Sequence, residues 1–223
     1  MANAQKAKDL QRFFKTGSGE YAAGDKFLGV MVPRTRALVK KYWNELCLAD
    51  AKILLASEFH EERLLALLAL VKKFENGDEK SRKQIFNLYL KNTKFINNWD
   101  LVDLSAPNIV GAYLEDKDKN ILFMLAKSKN LWERRIAMLA TFWFIKKGDC
   151  EVARGIAAML LGDREDLIHK AAGWMLREIG KNCGQAILEE FLQKNYKNMP
   201  RTTLRYAIER FDEKKRKYYL DLK

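Results

Sequence analysis

The sequence predicts an all-α protein, an α-solenoid of HEAT-like helix pairs repeating about every 35 residues. Three observations predict it. Only 3 Pro and 12 Gly punctuate 223 residues rich in Leu, Ala, Lys, Glu and Ile. Apolar residues recur at helical spacing, with no alternating strand pattern to compete. A similar segment also returns four times, each time preceded by a shorter helix. At 48% hydrophobic and 31% charged, the chain can bury a real core, and its length suits one repeat domain over residues 1–223.

The elements follow in order from their stop and start signals. A helix is expected over 4–15, closed by Gly17-Ser18-Gly19. Helices over 34–47, 50–57 and 60–75 come next, and Asn76-Gly77-Asp78 reads as a glycine C-cap followed by an acidic N-cap. Beyond it lie 79–91, 99–114, 118–128 and 131–147, the last ended by Lys147-Gly148-Asp149. Leu161-Gly162-Asp163 ends 150–161, and 165–180, 184–195, 201–210 and 213–221 complete the chain.

The repeat is carried by Arg63-x-x-Ala66-x-x-Ala69, Trp99-x-x-Val102-x-x-Ser105, Arg134-x-x-Ala137-x-x-Ala140 and His169-x-x-Ala172-x-x-Met175. Their first residues are 36, 35 and 35 positions apart. Counted from each first residue at about 100° per residue, the small positions at +3 and +6 lie near ~300° and ~240°. On the same scale Trp99 sits at ~0°, Asp103 near ~40°, Arg135 near ~100° and Trp174 near ~140°. Two indoles, one acid and one arginine thus fall on an arc opposite the packing residues, and in successive repeats that arc forms one surface.

The chain carries 41 Lys+Arg against 29 Asp+Glu, a net charge of +12. Such a balance favours a polyanionic partner, although an ordinary basic protein also fits it. For nucleic acid, counterion release would supply much of the affinity. Cys47, Cys150 and Cys183 are widely spaced and lie in helical stretches, and only His60 and His169 accompany them, so no zinc site and no cofactor are expected. The cysteines read as buried thiols in a reducing compartment. The opening MANAQKAKDLQRFF lacks the apolar core of a secretory signal. No stretch approaches the roughly 18 apolar residues of a membrane span. A cytoplasmic monomer with no membrane contact is expected.

Trp99-Asp100-Leu101-Val102-Asp103 is the segment that suggests chemistry. It sets an indole and a carboxylate four residues apart, on one helix face. An indole face attracts a cation and stacks on a base or deoxyribose, or it simply fills a core gap. Asp103 is either a solvated acid or the group that stabilises developing positive charge and orients a water. Asp100 fits the solvated, helix-capping role. Without a His or Ser partner the acid excludes a hydrolase triad, but N-glycosidic cleavage through an oxocarbenium-like transition state needs little more than one carboxylate. Arg134 and Arg135 either pair with Glu133 or clamp a phosphate. Lys170, Arg177 and Lys181 extend that track. Lys72-Lys73, Lys146-Lys147 and Lys214-Lys215-Arg216-Lys217 read as solvated faces. His169 has no assigned role, and Phe142-Trp143-Phe144 is expected to pack between layers.

These residues resemble the AlkD-type alkylpurine DNA glycosylases of the DNA alkylation repair family, which are HEAT-like solenoids. Phe27-Leu28-Gly29-Val30 with Pro33 and Arg36 is similar to that family's N-terminal entry. Trp99-Asp100-x-Val102-Asp103, continuing through Ala106-Pro107 to Gly111, resembles its signature helix. Trp132-x-Arg134-Arg135-x-Ala137 and Lys170-Ala171-x-Gly173-Trp174-x-Leu176-Arg177-Glu178 complete the likeness, which spans residues 10–210. Some relatives carry a second aromatic where this chain has Asn98. The resemblance implies Asp103 as catalytic carboxylate, Trp99 and Trp174 as substrate contacts, and Arg135 on the DNA backbone of an alkylated duplex. It implies a monofunctional enzyme that releases cationic N3- or N7-alkylated purines, since no lysine sits by the acid for a Schiff base. The rival readings are a non-catalytic HEAT-like module that recognises DNA shape or branched structures, and a protein-binding solenoid.

Overall fold

The structure is a computed structural model that describes residues 2–222. Those residues are all-α, with an isolated bridge between Lys26 and Phe59 as their extended pairing. The helices are α1 (Ala4–Phe13), α2 (Val32–Tyr42), α3 (Leu48–Leu55), α4 (His60–Asn76), α5 (Glu79–Lys91), α6 (Trp99–Ala106) and α7 (Asn120–Ala126). They continue as α8 (Leu131–Ala140), α9 (Phe142–Ile145), α10 (Glu151–Leu160), α11 (Asp166–Asn182), α12 (Gln185–Asn195), α13 (Arg201–Ala207) and α14 (Glu213–Asp221). They gather into two compact units, one up to Tyr113 and one from Leu114.

In the first unit α4 is the central element, packed against α2, α3, α5 and α6. Its apolar positions recur every three or four residues, so Leu64, Leu67, Leu70 and Phe74 all point inward and are buried. Burying each such side chain contributes about 1.5–3 kcal/mol. Gly77 then ends α4, and Asp78 starts α5 by accepting the Ser81 amide through Oδ1 at 2.8 Å.

In the second unit α11 holds the corresponding place, packed against α8, α9, α10, α12 and α13. Gly173 lets α13 come close: a Cβ there would lie 2.5 Å from Tyr206 Cβ and 2.6 Å from the Thr203 carbonyl oxygen. The small positions of the repeat are packing positions in both units. Ala66, Ala69, Val102, Ser105, Ala137, Ala140, Ala172 and Met175 are all at most 1% exposed.

Two expected helices are interrupted. Pro107 has no N–H for the ladder, so the helix expected over 99–114 passes through a π-type turn over Pro107–Gly111 before returning to α-helix at Ala112 and Tyr113. Thr141 separates α8 from α9, its hydroxyl donating back to the Met138 carbonyl at 2.6 Å. Within the expected interlayer aromatics Phe144 is buried, whereas Phe142 and Trp143 are half-buried.

The cysteines correct one expectation. Cys47 is exposed because it caps α3: its sulfur accepts the Asp50 amide, and Asp50 Oδ2 accepts the Cys47 amide at 2.9 Å. Cys150 is buried and Cys183 half-buried, and burial together with the neighbouring Cys150 pushes the Cys183 thiol up to about 12.

Candidate active site

The site begins where Asn98 turns the chain. Its extended backbone (φ −150°, ψ 156°) and its side-chain oxygen, which accepts the Trp99 amide at 2.8 Å, start α6 at Trp99. From there α6 buries Asp100, Leu101, Val102, Ser105 and Ala106. Trp99, Asp103 and Leu104 are half-exposed. The indole and the second carboxylate therefore occupy the accessible side of the helix together.

Trp99 is held from several directions. Phe14 stacks on it at 5.1 Å between ring centres and 23° between planes, and Phe13 meets it edge-on at 5.9 Å. Its Nε1–H donates to Tyr21 Oη at 3.2 Å. On the buried side, Ser105 Oγ donates to the Leu101 carbonyl at 2.5 Å and sits 2.9 Å from Tyr89 Oη, which leaves the tyrosine as donor in that pair. Burial, together with the nearby Asp103 charge, pushes the Tyr89 hydroxyl far above its ordinary range, so it stays protonated.

Behind α6 lies a buried ionic cluster that the sequence reading missed. Asp100 is not solvated: its Oδ2 lies 2.9 Å from His60 Nε2. The other ring nitrogen, Nδ1, faces Asp25 Oδ2 at 3.4 Å. Arg63 Nη2 makes a 2.8 Å charge contact with the same Asp25 oxygen, and Asn97 donates to the other Asp25 oxygen at 3.2 Å. Burial would push the Asp25 carboxyl up, but the His60 hydrogen bond, the Arg63 and His60 charges and Asn97 outweigh it and hold the group below its ordinary range. For His60, burial favours the neutral ring; the hydrogen bonds to Asp100 and Asp25 and the Asp100 charge outweigh burial and raise it. A signal existed in the sequence, because His60 and Arg63 fall in phase with the apolar positions of α4.

In the second unit Arg134 grips Asp163 with Nε at 2.6 Å and Nη2 at 3.2 Å, and Nη1 donates to the Ser128 and Lys129 carbonyls. Its fork therefore secures the turns before α8 and α11. Arg135 is only 5% exposed, and its Nη1 donates to the Leu167 carbonyl at 2.5 Å. The arc places it outward, yet the neighbouring helix end draws it in. Trp174 is half-buried beside Phe142, 5.9 Å between ring centres. Lys170 pairs with Asp166 at 2.8 Å and lines a groove of about 470 Å³ with Thr202, Arg205, Tyr206, Glu209 and Arg216. Arg177 pairs with Glu209. His169 Nε2 lies 2.6 Å from the Asp163 carbonyl oxygen, a local contact beside the Arg134 pair.

Among the described residues no cluster of His, Cys, Asp or Glu could hold a metal ion, and no helix is long and apolar enough to cross a membrane. A solved structure described as a predicted DNA alkylation repair enzyme from Enterococcus faecalis shares the fold, with a TM-score of 0.75 over 96% of this chain and 98% of that one at 16% identity. No match is found among curated proteins. The family model described as DNA alkylation repair enzyme matches residues 1–211, and with nearly the whole chain so covered, this protein belongs to that family and serves DNA repair.

Proposed function

We propose that this protein is a monofunctional DNA glycosylase that hydrolyses the N-glycosidic bond of cationic N3- or N7-alkylated purines in double-stranded DNA and leaves an abasic site. The observation that carries the reading is the accessible face of α6, where Trp99 and Asp103 stand together with Leu104 while the other five residues of the helix are buried.

Alkylation at N3 or N7 gives the purine a positive charge, so its departure from C1′ takes up the bond's electron pair and restores a neutral base. The sugar then gains oxocarbenium character. In this reading the Asp103 carboxylate stabilises that charge and orients the water whose oxygen bonds to C1′, and the water's proton passes to the carboxylate or to solvent. The Trp99 ring, already fixed by Phe14 and Tyr21, offers its face to the cationic base or the deoxyribose. Trp174 and the cations of the second unit contact the same DNA. Lys170 and Arg177 reach phosphates, Arg135 reaches one by turning its guanidinium from the Leu167 carbonyl that holds Nη1, and Arg134 adds charge while its fork serves Asp163. The repeat runs through both units, with segments starting at 63 and 99 in one and at 134 and 169 in the other, which supports a single HEAT-like array.

The test is to incubate the protein with methylated duplex DNA and quantify the free base. Asp103→Asn is expected to slow release by about 10²–10³-fold, the usual cost of removing one preorganised charge-stabilising group. Release that survives this substitution overturns the assignment of Asp103. Salt-sensitive DNA binding with no release would instead favour a non-catalytic binding module.

A further inference from the structure

Resting on the glycosylase reading, we propose that His60 is a positioning residue for that reaction, an imidazolium held between Asp25 and Asp100 that sets the start of α6 and, through Phe14, the plane of the Trp99 ring. Both ring nitrogens face carboxylate oxygens, at 2.9 Å and 3.4 Å. Only the doubly protonated ring offers an N–H to each; a neutral ring turns one lone pair against a carboxylate.

The groups facing His60 come from three elements. Asp25 reaches it from the segment before α2, Arg63 from its own helix, and Asp100 from α6. With His60 charged, two anions and two cations cancel in a site where no member is more than 7% exposed. Glu61, the next residue, turns its carboxylate away to the amides of Leu28, Gly29 and Val30. The raised pKa of the imidazole agrees with this arrangement.

Two routes lead from the ring to the site. Asp100 immediately follows Trp99 in the first turn of α6, so the His60 contact fixes the turn that presents the indole. The second route is aromatic: His60 packs against Phe27 at 4.7 Å and Phe14 at 4.9 Å, the two phenyl rings stack on each other at 5.2 Å, and Phe14 stacks in turn on Trp99 at 5.1 Å. If burial were the purpose, apolar residues of similar size would serve stability as well or better. What the ionic cluster adds is a single direction for each ring and carboxylate.

The test has two arms, each run from about pH 6 to about pH 9.5, a range that brackets the ordinary histidine pKa on its raised side. One arm measures single-turnover release of alkylated purine from methylated duplex DNA by the wild type, by His60→Gln, and by the double variant His60→Gln/Asp100→Asn. The other follows the Trp99 indole N–H resonance, assigned by comparison with Trp99→Phe. In the wild type the release rate is expected to fall as pH rises through the His60 pKa, and the Trp99 resonance to move over the same range. His60→Gln is expected to lose about 10- to 100-fold in rate at saturating enzyme, the scale set by small misplacements of reacting groups, and to lose both pH responses. The double variant, whose Gln–Asn pair leaves no uncompensated charge, is expected to regain most of the rate without regaining the pH dependence.

His60→Gln protein with the wild-type rate and pH profile overturns the proposal, and so does a slower variant whose Trp99 resonance still titrates. A lowered Tm with an unchanged rate well below it would mean a merely structural role and also overturns it. If His60→Gln does not fold, the wild-type titration and the double variant decide. If the wild type releases no base, the glycosylase reading fails; the resonance arm then still judges the clamp, which stands only if Trp99 titrates in the wild type and stops titrating in a His60 variant.

Discussion

Gly29 adopts φ 79°, and a Cβ on it would lie 2.1 Å from the carbonyl oxygen of Asn3. That close approach lets the amides of Leu28, Gly29 and Val30 converge on the Glu61 carboxylate at 2.8–3.1 Å. Gly29→Ala combines left-handed strain with a backbone collision, so it is expected to lower unfolding stability by at least about 2 kcal/mol in urea titrations. An unchanged midpoint would contradict the geometry. The same neighbourhood shows which residues were legible in the sequence. Trp99 and Asp103 were, because a four-residue separation on a helix depends on nothing outside the helix. Asp100 was not, because its partner His60 lies 40 positions away and no local pattern distinguishes a buried acid from a capping one. Arg135 illustrates the converse: helix phase predicts an outward arginine, but the carbonyl of Leu167, 32 positions on, draws the side chain in.

Helix boundaries follow how local their signals are. The Asn76-Gly77-Asp78 junction predicts a helix over 79–91, and α5 spans Glu79–Lys91, because the cap bond from Ser81 to Asp78 involves neighbouring residues only. Asp78→Ala is accordingly expected to cost about 1 kcal/mol by thermal or urea unfolding while leaving base release unchanged, since that cap touches none of the proposed substrate groups. Loss of release with stability intact would show that α5 has been placed wrongly in this account. Two of the longer expectations each contain an irregularity that their periodicity does not show. Residues 99–114 and 131–147 keep helical periodicity throughout, but periodicity does not register Pro107's missing donor or the hydroxyl of Thr141 bonding back to Met138. In α6 the consequence is functional, because the regular helix before the π-type turn is Trp99–Ala106, the segment that carries both the indole and the acid.

Across the whole molecule, the repeat was the most legible feature, since its small residues at +3 and +6 are the ones that let helices approach, and they are buried in both units. Charge sets two further expectations. With +12 net charge and about five phosphates neutralised, raising salt from about 50 to about 200 mM is expected to weaken DNA binding by about 10²–10³-fold; salt-insensitive binding would argue for a different partner. Stability should have two pH limbs. His60 is raised above 6.5, so its contribution is complete below that value and is lost as pH climbs through the folded-state pKa. Asp25 is lowered below 3.8, so its contribution is complete above that value and is lost as pH drops through the folded-state pKa. Urea midpoints measured across that range should fall at both ends in the wild type, and the alkaline fall should vanish in His60→Gln; a wild type with no alkaline fall would contradict a buried imidazolium. The props of Trp99 also have a bearing on biosynthesis. Phe13, Phe14, Tyr21 and, behind them, Phe27 and His60 all precede the tryptophan in the chain. A ribosome that has just delivered residue 113 has therefore already released every one of these side chains, before it has translated the codon for Trp174.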